Sequence, residues 1–154
     1  MKECLNEGFK VTCYELDTDL GGIWREKRNV KHPNTPQIWE NLITNTSKYM
    51  MTYSDFPPLA EDTPFFKGQD VYEYYKRYAK ANGILPCIQF NTRVIKIRKT
   101  RDHEKTGQWE VFSCPASLFS SDDVGSKDKS KDIDLDKCQK LVADFVLICS
   151  GLFK

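Results

Sequence analysis

The sequence has no C-x-x-C pair, no long apolar run and no excess of charge of either sign. Each absence removes a class of function. Its six cysteines, Cys4, Cys13, Cys87, Cys114, Cys138 and Cys149, are scattered, and without C-x-x-C spacing a dithiol redox centre is not indicated. Histidine is scarce too, with only His32 and His103, and no cysteine spacing complements them into a metal site. The longest apolar stretch, Phe145 to Cys149, is far too short to span a bilayer. The first ten residues, MKECLNEGFK, lack the apolar core of a secretory leader. Lys and Arg number 23 against 22 Asp and Glu, a net charge of +1, which leaves no electrostatic case for nucleic acid or an anionic membrane. On this basis the cysteines read as reduced thiols of an intracellular, cytoplasmic chain, with Cys13 and Cys149 acting as small hydrophobes inside apolar runs.

What remains is 154 residues, 40% of them hydrophobic, enough for one ordinary domain with a core. Lys2 to Glu7 reads as the end of a helix that Gly8 terminates, and Phe9 to Glu15, FKVTCYE, as a strand rich in β-branched and aromatic residues. Helix, tight glycine turn and strand form the second half of a βαβ unit. From Glu26 to Gly68 the chain is rich in Pro, Asn and Thr. Its many aromatic residues have no sustained period, as in loops packed on a ligand or another domain. Gln69 to Asn82 is the clearest helix, with Val71, Tyr74, Tyr75 and Tyr78 at 3–4 spacing and Gly83 behind it. Ile88 to Phe90, Arg93 to Lys99 and Gln108 to Cys114 read as short strands, the last two joined by a hairpin loop. Lys140 to Ala143 is placed as a third meander strand. Pro115 to Asp136 is Ser/Asp/Lys-rich and too polar to repay its ordering entropy, so it reads as a flexible solvated insertion. Asp144 to Cys149, DFVLIC, is continuously apolar, the pattern of a buried parallel strand. Ser150 and Gly151 make the turn at its carboxyl end, the edge where open α/β sheets bind ligands.

Two segments carry the chemistry. Glu15 closes the first strand, where an acid in a dinucleotide-binding unit accepts hydrogen bonds from the adenosine ribose; an acid after a strand is also common at any surface. Gly21 and Gly22 follow in DTDLGGIWR. They are either a simple turn or a close approach of backbone to a planar cofactor or pyrophosphate, with Trp24 alongside.

The ordered set VTCYELDTDLGGIWR, NTSKYMMTYSDFP, GQWEVF and DFVLICSG closely resembles the FAD-binding domain of the flavin-containing (dimethylaniline, N-oxide-forming) monooxygenases. The resemblance runs over nearly the whole chain except the polar insertion. It implies an α/β fold: a partial, three-layer FAD/NAD(P)-binding (Rossmann-like) domain with a β-meander, lacking the first strand and its glycine-rich loop. It implies that residues 1–154 are an incomplete FAD-binding domain, with the polar insertion at about 115–137 and the NADPH domain absent. Carried over by position, Glu15 matches the FAD-ribose acid, and Gly21, Gly22, Ile23 and Trp24 match the segment lining the flavin nucleotide. Thr44, Asn45 and Thr46 match the run where FAD and NADP meet, with Asn45 holding the oxygenated flavin and the nicotinamide nucleotide. Val94 matches a meander strand near the adenine, and Ser150 and Gly151 a turn against the FAD.

The implied cofactors are FAD and NADPH, and the implied partners are dioxygen and a small-molecule amine or sulfide. The implied reaction is oxygenation of soft nitrogen or sulfur through a C4a-hydroperoxyflavin. An inert truncated product and a Baeyer–Villiger-type flavin monooxygenase stand as alternatives. The parent protein is expected in the cell interior or on the endoplasmic reticulum membrane, and the 154 residues alone are expected to be inactive.

Overall fold

In the computed structural model the described residues are 1–25, 38–119 and 138–151, and they fall into two compact units. Unit 1 comprises Met1–Thr12 and Leu20–Ile88; unit 2 comprises Cys13–Asp19 and Gln89–Lys154.

Unit 1 opens with α1 (Lys2–Asn6). Its end is a Schellman turn: the Phe9 N–H bonds the Cys4 carbonyl and the Gly8 N–H the Leu5 carbonyl, each at 3.0 Å. Lys2 pairs with Asp55 and Glu3, which ties α1 to the loop beyond α2 (Lys48–Met51). The dominant element is α3 (Gly68–Ala81), within one residue of the helix expected at each end. Asp70 caps it by accepting the Lys67 N–H at 2.9 Å. Its apolar stripe is core: Val71 and Tyr74 are buried. The Tyr74 hydroxyl accepts the Tyr53 N–H at 2.8 Å and donates to the Phe56 carbonyl at 2.7 Å. Tyr53, Phe56 and Phe66 lie against the Tyr74 ring. Much of the aromatic content of the irregular region is therefore spent on α3. Trp39, Tyr49, Met50 and Phe65 remain exposed.

Unit 2 holds a three-stranded antiparallel meander, β3–β4–β5 in order. The strands are β3 (Thr92–Lys99), β4 (Trp109–Pro115) and β5 (Gln139–Ala143), after the short β2 (Ile88–Gln89). One rung carries Ile97, Val111 and Leu141, and the next Arg98, Glu110 and Val142. The register slips between Val94 and Lys96, so the consecutive apolar pair Val94-Ile95 is a β-bulge that re-aims the strand. The hairpin loop contains a helical turn, α4 (His103–Thr106). Residues 120–137, where most of the expected flexible insertion falls, lie outside the described residues.

Three expectations are corrected. The run Phe9–Glu15 forms a strand only at β1 (Cys13–Tyr14), because strand propensity becomes a ladder only where a neighbour offers hydrogen bonds, here β2. Asp144–Cys149 is not a buried strand: Phe145, Leu147 and Ile148 are 76%, 74% and 77% exposed, and no ladder forms on this run among the described residues. A continuous apolar run signals burial only when both faces find cover. The cysteines are not all reduced, since Cys114 and Cys138 form a disulfide with Cα atoms 5.1 Å apart. They occupy the rung beyond Ser113–Gln139, a cross-strand geometry that sequence spacing does not disclose.

Candidate functional site

In unit 2, β1 delivers Glu15 to the end of a short ladder. Its N–H donates to the Gln89 carbonyl at 3.0 Å and its own carbonyl accepts the Thr92 N–H at 2.9 Å. The carboxylate is half-buried and oriented, with Oε1 accepting the Asp17 N–H at 2.8 Å. The turn continues as Asp17 Oδ1 accepts the Thr18 N–H at 2.7 Å. A single donor fixes one oxygen and leaves the carboxylate with acceptor capacity for a diol. Val94 stands opposite Ser113 at the start of the bulge and is partly exposed. Ser150 and Gly151 are exposed, with Gly151 at φ 92°.

In unit 1, Gly21 and Gly22 serve different ends. Gly21 has φ 114°, and a Cβ there would lie 2.7 Å from the Tyr72 ring of α3. It is glycine because a helix presses on it. Gly22 has φ 54°, with no described residue within 4 Å of its Cβ direction. It opens a 3₁₀ turn, Gly22–Trp24, in which the Trp24 N–H bonds the Gly21 carbonyl at 3.0 Å. Ile23 is exposed and Trp24 half-buried. The double glycine thus combines a packing requirement with an unobstructed backbone face. Only Gly22 fits the close approach of a ligand, the use the left-handed region serves in nucleotide loops.

Thr44, Asn45 and Thr46 also lie in unit 1. Thr44 is buried; its N–H bonds the Phe66 carbonyl at 2.8 Å and its Oγ1 donates to the Thr46 carbonyl at 2.9 Å. Asn45 and Thr46 are exposed on the resulting turn. Sequence reasoning gave no role to the next charged residue, Lys48, which the structure buries. Its Nζ donates to the carbonyls of Leu59, Ala60 and Asp62 at 2.9, 3.3 and 2.6 Å. No local pattern flags this, because the acceptors are backbone atoms 11 to 14 residues away. Among the described residues no cluster of His, Cys, Asp or Glu could hold a metal, and no helix is long and apolar enough to cross a membrane.

The described residues make a mixed α/β chain with small sheets. The chain belongs to the FMO-like family, flavin-binding monooxygenase-like, whose model matches residues 1–153. It is 38% identical over 152 residues to dimethylaniline monooxygenase [N-oxide-forming] 2 of Rattus norvegicus, covering 98% of this chain and 24% of that protein. The chain therefore spans about a quarter of the length of the curated relatives it matches. In fold it resembles S-allyl-L-cysteine S-oxygenase from Allium sativum, with a TM-score of 0.72, 18% identity and coverage of 97% of this chain and 33% of that one. It also resembles OTEMO in complex with FAD and NADP, with a TM-score of 0.56, 24% identity and coverage of 73% and 20%.

Proposed function

We propose that the chain carries part of the FAD-binding machinery of an NADPH-dependent monooxygenase acting on soft nitrogen or sulfur nucleophiles in small molecules. The match of the flavin-binding family model over residues 1–153 carries this reading. The 38% identity to an N-oxide-forming relative favours amine or sulfide oxygenation over Baeyer–Villiger insertion. When bound, the flavin supplies the redox chemistry, taking hydride from NADPH and activating dioxygen.

The residues of the chain supply position. Glu15, already oriented by the Asp17 N–H, accepts the ribose hydroxyls through its remaining acceptor sites. Gly22 admits the nucleotide against bare backbone, since a side chain there would project into the space that no described residue fills. Ile23 and Trp24 flank it with apolar surface. Thr44 and Thr46 hold the turn that presents Asn45, whose amide both donates and accepts and so holds cofactor polar groups in place of water. Val94, partly exposed at the bulge, and the exposed Ser150–Gly151 turn would add further contacts to the bound FAD.

The test is flavin content and product analysis on the full-length protein that carries these residues. Near-stoichiometric FAD, loss of FAD in Glu15→Ala, and an N-oxide or S-oxide product support the reading. An ester formed from a ketone would replace it with Baeyer–Villiger chemistry, and a protein that neither binds flavin nor oxidises NADPH would sink it. The exposed Phe145, Leu147 and Ile148 favour a second reading for the 154 residues in isolation: by themselves they retain little flavin and oxygenate nothing. Purified 154-residue chain with a full flavin absorbance would refute it.

A further inference from the structure

From the arch between Thr44 and Lys48 we infer that Lys48 is a positioning residue for Asn45. The inference rests on the reading of Asn45 given above. The Thr44 N–H bonds the Phe66 carbonyl and the Lys48 N–H bonds the Pro64 carbonyl, each at 2.8 Å. The two feet are four residues apart on one segment and two apart on the other, so residues 45–47 arch away from the 64–66 segment. Asn45 and Thr46 are exposed on the arch, and the Asn45 amide is placed by the feet.

The Thr44 foot is secured by burial and by its hydroxyl bond to the Thr46 carbonyl. The Lys48 foot is secured by its side chain. Only 6% of Lys48 is exposed, and the three ammonium hydrogens match three carbonyl acceptors, those of Leu59, Ala60 and Asp62. Those carbonyls are themselves pre-set. The Leu59 N–H donates to Asp62 Oδ2 at 2.8 Å, the Asp62 N–H to the Leu59 carbonyl at 3.2 Å, and Arg77 pairs with the Asp62 carboxylate at 3.0 Å. The Asp62 carboxylate is thus engaged elsewhere: the ammonium's hydrogen bonds all go to backbone carbonyls, with the Tyr49 ring 5.5 Å away as a cation–π neighbour. Burial of a charge persists only where hydrogen bonds replace its water, so the 59–62 turn and Lys48 each fix the other. Thr52 Oγ1, donating to the Lys48 carbonyl at 3.0 Å, closes the foot on its α2 side.

The test compares Lys48→Met, which keeps the stem and removes the donors, with Lys48→Arg, Asn45→Ala and Val111→Ala. Val111→Ala is a control for lost stability in the meander of unit 2. Without flavin, hydrogen exchange at the Thr44 and residue-48 amides is expected to rise about tenfold in Lys48→Met relative to amides of α3. With FAD and NADPH in the full-length protein, productive turnover gives NADP⁺, water and oxygenated substrate. Uncoupled turnover gives NADP⁺ and hydrogen peroxide instead, from NADPH, a proton and O2. The peroxide released per NADPH is expected to rise several-fold in Lys48→Met and Asn45→Ala, and to stay unchanged in Val111→Ala. If Lys48→Met does not fold, Lys48→Arg decides: it keeps the charge but replaces a tetrahedral donor set with a planar fork, and a smaller rise in both readouts is expected. Unchanged exchange at Thr44 and residue 48 overturns the inference, and so does unchanged coupling in the Lys48 variants while Asn45→Ala uncouples. Unchanged coupling in Asn45→Ala overturns the Asn45 reading and Lys48's role toward it, and is told apart by the exchange result.

Discussion

At the scale of single residues, the double glycine divides into two tests. Gly21→Ala forces a Cβ to within 2.7 Å of the Tyr72 ring at φ 114°. A left-handed non-glycine residue costs about 1–2 kcal/mol before any clash, and displacing a helix-borne ring adds to it. Gly22→Ala at φ 54° meets no described residue, so it costs about 1 kcal/mol of stability while placing a methyl where the nucleotide is proposed to lie. The expected outcome is a large fall in melting temperature for Gly21→Ala with flavin affinity changed only through unfolding. For Gly22→Ala the fall is small, with flavin affinity weakened at least tenfold. Thermal melts with flavin titration check both. Equal behaviour of the two variants would return both glycines to an ordinary turn. In sequence the two positions are indistinguishable, because the difference is a neighbour about fifty residues away that only packing brings close.

Elements show where local pattern suffices and where it fails. Helix α3 was legible because its apolar stripe and the glycine behind it are local signals, encoded within a turn or two of where they act. The meander was legible in its strands but not in its register: the Val94–Lys96 slip, the Cys114–Cys138 pairing and the Arg98–Glu110–Lys140 chain are cross-strand facts. That chain carries a pH dependence. The Arg98 guanidinium, at 2.6 Å, and then Lys140, at 3.1 Å, hold the Glu110 carboxyl below the usual glutamate range. A carboxyl whose folded value is depressed contributes stability that is present above its unfolded value and lost as pH falls through the folded one. The urea midpoint is therefore expected to drop as pH falls from about 5 into the acid range below the ordinary glutamate value of about 4.3. Glu110→Gln is expected to flatten that part of the profile. Identical profiles for the two proteins would remove Glu110 from the acid response.

For the whole chain, family and fold class were legible because four short motifs recur in order, and order is a property no local misreading disturbs. The site was legible only as a set of candidates. Lys48 was missed, since three carbonyl acceptors leave no side-chain signature. The run Asp144–Cys149 was misread for a related reason: apolarity records a demand for cover, whereas burial records that cover is met. Among the described residues the demand is unmet at Leu147 and Ile148, which are 74% and 77% exposed. Contiguous apolar surface of that kind drives association. The purified 154-residue chain is therefore expected to scatter light increasingly with concentration. A Leu147→Lys/Ile148→Lys double variant is expected to stay monomeric at several-fold higher concentration, with melting temperature unchanged, because neither side chain is packed. Light scattering across a dilution series with a parallel thermal melt checks this. A double variant that melts lower without gaining solubility would show that the run is packed in solution, and would restore the buried strand that its composition implies.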